Sequence, residues 1–298
     1  MTEPNNPNHE GKMIRFESHA RPSFTPAERA ELQEARAILE HQGIADRLAR
    51  AIGTPITASV RLLPSPVQSM IQTAVDKSLQ KALDTAIHTL SPPGDASGQP
   101  RLRRNQWMAG LAGAAGGAFG PSVLVAELPV STVLILRSVA DIARSQGEDL
   151  TQLEIRLACL EVFALDAGDA PHRRGDAKTS QEPAVTPEAT EIGYFAVRAA
   201  MSKQVAGATK YLAGAKVIDH AAPPLVRFIS EIGKRFGVVV GQKVAAQAVP
   251  VIGALGGALI NSYFIDHYQD IAQSHFTIRR LERKHGTAAV QRAYHELG

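Results

Sequence analysis

The residues best suited to chemistry stand near the C-terminal end, where Asn261, Asp266, His267, Asp270 and His275 follow an apolar run. On a helix, His267 and Asp270 share a face, three positions apart, and Asp266 and Asp270 are four apart. Two or three such ligands can hold a divalent metal. The preferred reading is plainer: the polar residues mark an apolar helix running out into solvent, and no metal or cofactor is expected. Glu127 is the second candidate. A carboxylate inside an apolar helix must be paired, neutral or at a surface. The nearest cation that follows it is Arg137, ten residues on, and the two can meet if Pro129 breaks the helix. Asn261, set among Leu259, Ile260 and Phe264, needs partners for several hydrogen-bonding atoms. Its natural targets are Glu127 and the backbone near Pro129. Glu127, Arg137 and Asn261 make one candidate pocket, and no catalytic residue is assigned.

Other chemistry finds little footing. The chain has no G-x-x-x-x-G-K-[ST] motif and no strand-coupled G-x-G-x-x-G, so nucleotide binding lacks support. No G-x-S-x-G elbow surrounds a serine, and no H-E-x-x-H occurs. The single cysteine, Cys159, lies in the apolar run LEIRLACLEVFAL, which fits a buried inert thiol. One cysteine also excludes an internal disulfide. The net charge is +3, and the segment from Phe276 onward carries an equal excess, with Arg279, Arg280, Arg283, Lys284 and Arg292 against Glu282 and Glu296. Nucleic-acid binders usually show a broader basic face, so none is expected as a partner. A solvated last helix, or attraction to an anionic membrane, explains the local excess.

The elements that must position these residues are helices. The 298 residues contain 46 Ala and 24 Gly but only 5% aromatics, and no stretch alternates with period two. Small side chains bury little area each, so such a core depends on close backbone approach. Two stretches carry no charge, Asn105–Ala126 and Val244–Ile265, each 22 residues long. That length lies within the range for a membrane span, roughly 17–25 residues. Each holds a matched hexad, GAAGGA at 113–118 and GALGGA at 253–258. Gly113 and Gly117, Gly116 and Gly120, and Gly253 and Gly257 are four apart and strip one helix face of side chains; Gly256 joins them in the second hexad. Glycine costs roughly 1 kcal/mol in a helix interior, so the expected compensation is that the two helices cross. A soluble core and a shallow membrane hairpin both remain open. Arg101, Arg103 and Arg104 before the first stretch, and Arg279 and Arg280 after the second, are the candidate membrane-surface residues.

Residues 1–24 read as a disordered polar tail, and 25–298 as one helical domain. Its similar halves, 25–165 and 189–298, are divided by a mobile loop over 166–188. Thr25 and Glu28 form a capping box; Ser65 caps a helix; Thr151 and Glu154 form a second box. Gly147 stops a helix as a C′ glycine, and Thr186-Pro187-Glu188 restarts helix near 188. The N-terminus has no apolar core of signal-peptide length, so a cytoplasmic location is expected.

The order of motifs carries a resemblance. A Gly/Ala helix is followed by Glu127-Leu128-Pro129, a run ending Leu136-Arg137-Ser138, then Asp141-Ile142-Ala143, Gly147 and Asp149-Leu150. Val249-Pro250-Val251-Ile252-Gly253-Ala254, Gly256-Gly257 and Asn261 come later. This pattern resembles the EcsC family of bacterial proteins, named for the third member of an operon encoding an ABC transporter, over roughly 27–285. The resemblance implies an α-helical protein, membrane-associated or cytoplasmic, with no assigned catalytic residue. Its motif positions are Glu127, Pro129, Arg137, Gly147, Pro250, Gly253, Gly257 and Asn261. The expectation is an all-α multi-helix bundle of two similar halves around two crossed Gly/Ala-rich helices. Its expected role is a non-enzymatic accessory protein at the inner face of the cell membrane, partnered by lipid or by an ABC-transporter or envelope protein. A soluble lipid- or small-ligand-binding protein and a hydrolase with an acidic/His site are the alternatives.

Overall fold

A computed structural model describes residues 24–41, 43–52, 63–90, 124–166, 193–247 and 253–297. All regular elements among them are helical. They are α1 (Pro26–His41), α2 (Ile44–Ile52), α3 (Ser65–His88), α4 (Leu124–Ser145), α5 (Leu153–Glu161) with a 3-10 turn (Val162–Ala164), α6 (Tyr194–Gly214), α7 (Pro223–Gln247), α8 (Gly253–His285) and α9 (Thr287–Glu296).

Local signals set several of these boundaries. At the start of α1 the Thr25 N–H donates to Glu28 Oε2 at 2.9 Å, and the Glu28 N–H donates to Thr25 Oγ1 at 3.2 Å. This is the reciprocal capping box. Helix α4 ends at Gly147, whose φ of +82° suits glycine. The Glu148 N–H there donates to Ala143 O and the Gly147 N–H to Arg144 O, both at 3.0 Å. Two caps differ from expectation. Pro64 occupies the N-cap of α3, so Ser65 is already helical. Before α5 the Asp149 carboxylate, and not a Thr151/Glu154 box, accepts from the Thr151 N–H at 2.9 Å and the Thr151 hydroxyl at 2.7 Å. Asp149 wins because its two oxygens also reach Gln152 Nε2 at 3.1 Å.

Helix α8 is the axis of the bundle. Its 33 residues span about 50 Å at 1.5 Å each, and it touches α1, α2, α4, α7 and α9. Helix α3 packs along α4, and small residues dominate the buried positions of both. Ala74, Ala82 and Ala86, with Ser78, recur at four-residue intervals at 0% exposure except Ala86's neighbour Thr85. Ala140 and Ala143 are buried on α4. Close approach through small residues therefore occurs, in this pair. The few aromatics are placed for maximum burial. Phe163, Phe236, Phe264 and Tyr268 form a knot with ring centroids 5.1–6.2 Å apart, each pair worth about 0.5–1.5 kcal/mol beyond its area. Helices before and after 167–192 pack on one another, with α4 on α8, α3 on α7 and α5 on α6.

The second uncharged stretch is divided between two helices. Val244–Gln247 close α7, and Gly253 opens α8. Gly253, Gly256 and Gly257 lie in the first turns of α8. Gly113, Gly116, Gly117, Gly120, Arg101, Arg103, Arg104 and Pro250 lie outside the described residues, as do the proposed tail and the restart at Thr186-Pro187-Glu188.

Candidate functional site

Three helices meet at one buried charged cluster. Lys243 comes from the last turns of α7, Asn261 from α8 and Glu127 from the start of α4. The Lys243 ammonium is 3.1 Å from Glu127 Oε1 and donates to Asn261 Oδ1 at 2.9 Å. It also lies 4.7 Å from the centre of the Phe264 ring, a cation–π position. Lys243 and Asn261 are at 0% exposure and Glu127 at 7%. Burial pulls the Lys243 pKa below its usual value, with Glu127 opposing the shift. Taking each ion out of water costs several kcal/mol, and the mutual attraction roughly offsets it. The cluster therefore contributes orientation more than net stability. Lys243 and Asn261 are each nine residues from position 252, the geometry of an antiparallel helix pair.

The expected break at Pro129 does not occur. Helix α4 runs through it from Leu124 to Ser145. Nearby hydroxyls attend the local carbonyls: Ser131 Oγ donates to Glu127 O at 3.2 Å, and Thr132 Oγ1 to Leu128 O at 2.7 Å. In a continuous helix ten residues are about 15 Å, so Arg137 stays away from Glu127 and is exposed. The candidate pocket thus keeps Glu127 and Asn261 and replaces Arg137 with Lys243. Lys243 had one sequence signal: it is the charged residue that bounds the second uncharged stretch, as Glu127 bounds the first.

The polar residues of α8 go to separate partners. His267 Nε2 lies 3.0 Å from Asp166 Oδ2, both side chains buried. Asp270 receives Arg47 at 2.6 Å. His275 Nδ1 lies 2.9 Å from the Tyr194 hydroxyl. Among the described residues no three acidic, His or Cys side chains are placed to hold a metal. The helix does not run out into solvent there either, since His267 and His275 are at 0% exposure. Asp166, expected in a mobile loop, is buried at 7% because His267 holds it.

A second interior group is Glu161, at the end of α5. It is 2% exposed, and its Oε1 has no hydrogen-bond partner. Burial raises its pKa to about 7, against the opposing fields of Arg198 and Arg279. His275 is pushed well below its usual range by burial, with Arg198 and Arg279 adding to the effect. Sequence reading passed over Glu161, although a glutamate inside LACLEVFAL was its mark. Cys159 is buried and its thiol is pushed up to about 12, mainly by burial, so it is inert at neutral pH.

The basic end of α8 is balanced within the bundle. Arg279 Nε meets Glu148 at 2.7 Å, and Arg283 meets the same carboxylate. Burial works to raise the Glu148 pKa, but the two guanidinium groups outweigh it and hold the carboxylate below its usual range. Arg280 pairs with Glu31, and Lys284 with Glu28, both at 2.6 Å. Arg198 grips Glu282 with two nitrogens, at 3.0 and 2.6 Å. The local excess of positive charge in the sequence thus meets carboxylates from distant segments.

An all-helical bundle built on one long axial helix, with an ion pair sealed at one end, defines the class of protein. The EcsC protein family matches residues 27–281, and the chain belongs to that family. No curated protein and no solved structure matches it.

Proposed function

We propose that this chain is a membrane-associated accessory protein that docks on the inner face of the cell membrane. The docking end is the one where the two uncharged stretches meet the bundle. The observation that carries this reading is the Lys243–Glu127–Asn261 cluster. Glu127 directly follows the stretch 105–126, Lys243 directly precedes the stretch 244–265, and Asn261 lies inside the latter. One buried contact therefore ties both apolar segments to the same end of a charged bundle. Exposed apolar side chains stand close to it in sequence: Val130 at 53%, Leu259 at 61% and Tyr263 at 39%. Leu259 and Tyr263 are four apart and share a face of α8.

Among the described residues no helix is long and apolar enough to cross a membrane, so the proposed contact is shallow. Because Arg279 and Arg280 have carboxylate partners, the attraction to anionic lipid falls chiefly on Arg101, Arg103 and Arg104. The accessory role, beside a transporter or another envelope protein, rests on family membership. Flotation of the purified protein tests the docking. It should rise with vesicles containing phosphatidylglycerol, less so at high salt, and Leu259→Ser with Tyr263→Ser should weaken the binding. Protein that stays at the bottom of the gradient with every anionic vesicle overturns the reading.

A further inference from the structure

A pocket of about 320 Å³ lies between α7 and the end of the 3-10 turn, lined by Asp166, Glu231, Lys234, Arg235, Val238 and Val239. Glu231, Lys234, Arg235 and Val238 recur at three- and four-residue spacing, so one face of α7 forms a wall. Asp166 forms the other. Its carboxylate is held from behind by His267 at 3.0 Å and is thus positioned before any ligand arrives. Glu231 and Lys234 are 2.6 Å apart, and Arg235 makes no ion pair among the described residues. Val238 is 36% exposed and adds an apolar edge.

Two carboxylates and two cations around one small space select by charge. A simple anion meets the carboxylates, and a simple cation meets Lys234 and Arg235. A zwitterion satisfies both. The guanidinium of Arg235 and the ammonium of Lys234 suit a phosphate ester, and Asp166 and Glu231 suit an ammonium group. A primary ammonium can donate three hydrogen bonds to such carboxylates. A quaternary one donates none and is usually held by aromatic faces, which this pocket lacks.

The location agrees with a lipid source. On α8, His267 is four residues, about 6 Å, behind the exposed Tyr263. On α7, Val238 is five residues, about 7.5 Å, behind Lys243. Each headgroup layer of a bilayer is roughly 5–7 Å deep. With Leu259 and Tyr263 at the apolar boundary, the pocket sits at headgroup level. We propose that this pocket binds the phosphate and primary ammonium of a phosphoethanolamine headgroup, presented by membrane lipid. The proposal rests on the docking reading above and names the lipid it would favour.

Vesicle binding by the full chain tests it. Anionic lipid is held constant while phosphatidylcholine is replaced by phosphatidylethanolamine. Affinity should rise about five- to tenfold, the worth of one or two charge-assisted contacts. Asp166→Asn and the exposed Glu231→Gln should each lose that rise while keeping binding to phosphatidylglycerol vesicles. Circular dichroism and melting confirm that both variants fold. Equal affinity for the two compositions, with anionic binding intact, overturns the pocket and leaves the docking reading standing. No binding to any vesicle overturns both. Saturable binding of soluble glycerophosphoethanolamine without a rise on vesicles overturns the lipid source in favour of a free solute.

Discussion

At the residue scale, the two interior acids differ in how they are satisfied. Glu127 has Lys243, whereas Glu161 keeps an oxygen with no hydrogen-bond partner. Lys243→Met leaves Glu127 buried without its cation and is expected to cost about 3–5 kcal/mol in urea unfolding. Adding Glu127→Gln should restore most of that loss; a double variant as unstable as the sum of the singles would show that the charges are independent. Glu161 yields a pH prediction. Its folded pKa, about 7, is above the ordinary 4.5, so between those values the folded state holds a proton that the unfolded state has released. Glu161 therefore costs stability as pH rises through that window. The stability difference between Glu161→Gln and the natural chain should grow in favour of the variant by about 1.4 kcal/mol per pH unit from 4.5 to 7, then level off. A difference independent of pH would contradict it. Glu127 and Asn261 were legible in the sequence because polar groups inside apolar runs demand partners. Which cation answers Glu127 was not, because Arg137 is near in sequence but Lys243, 116 positions on, is near in space.

At the element scale, local chemistry was read well and continuity poorly. The Thr25/Glu28 box and the Gly147 stop are each contained within a few residues, so the sequence specifies them. Pro129 was expected to break α4, but a helix can pass a proline where nearby hydroxyls and packed neighbours compensate. The polar run Asp266–His275 was read as a helix exit because its partners, Arg47, Asp166 and Tyr194, lie on other elements. Gly147 offers a test of the α4 stop. A Cβ there would meet only Arg283 Nη2, at an ordinary 3.5 Å, so the strain is conformational. Gly147→Ala should lower stability by about 1–2 kcal/mol, read as a shifted urea midpoint with unchanged slope. An unaltered midpoint would show that the turn can relax away from its positive φ.

At the scale of the whole molecule, the all-helical class followed from composition, since abundant alanine and no period-two stretch leave few other solutions. The small-residue core was legible in kind. In the described residues it appears between α3 and α4, while large aromatics from α7, α8 and the 3-10 turn fill the centre. The basic C-terminal excess looked like a membrane-facing charge, yet only the fold could reveal that Glu28, Glu31 and Glu148 answer it. That transfers the proposed contact from the ends of α8 furthest from Lys243 to the end bounded by Glu127 and Lys243. The chain supplies its own probe there: its single tryptophan, Trp107, lies in the first uncharged stretch. On addition of anionic vesicles, Trp107 emission should shift to the blue and become protected from a soluble quencher. Emission and quenching unchanged by saturating anionic vesicles would contradict docking through this end of the molecule.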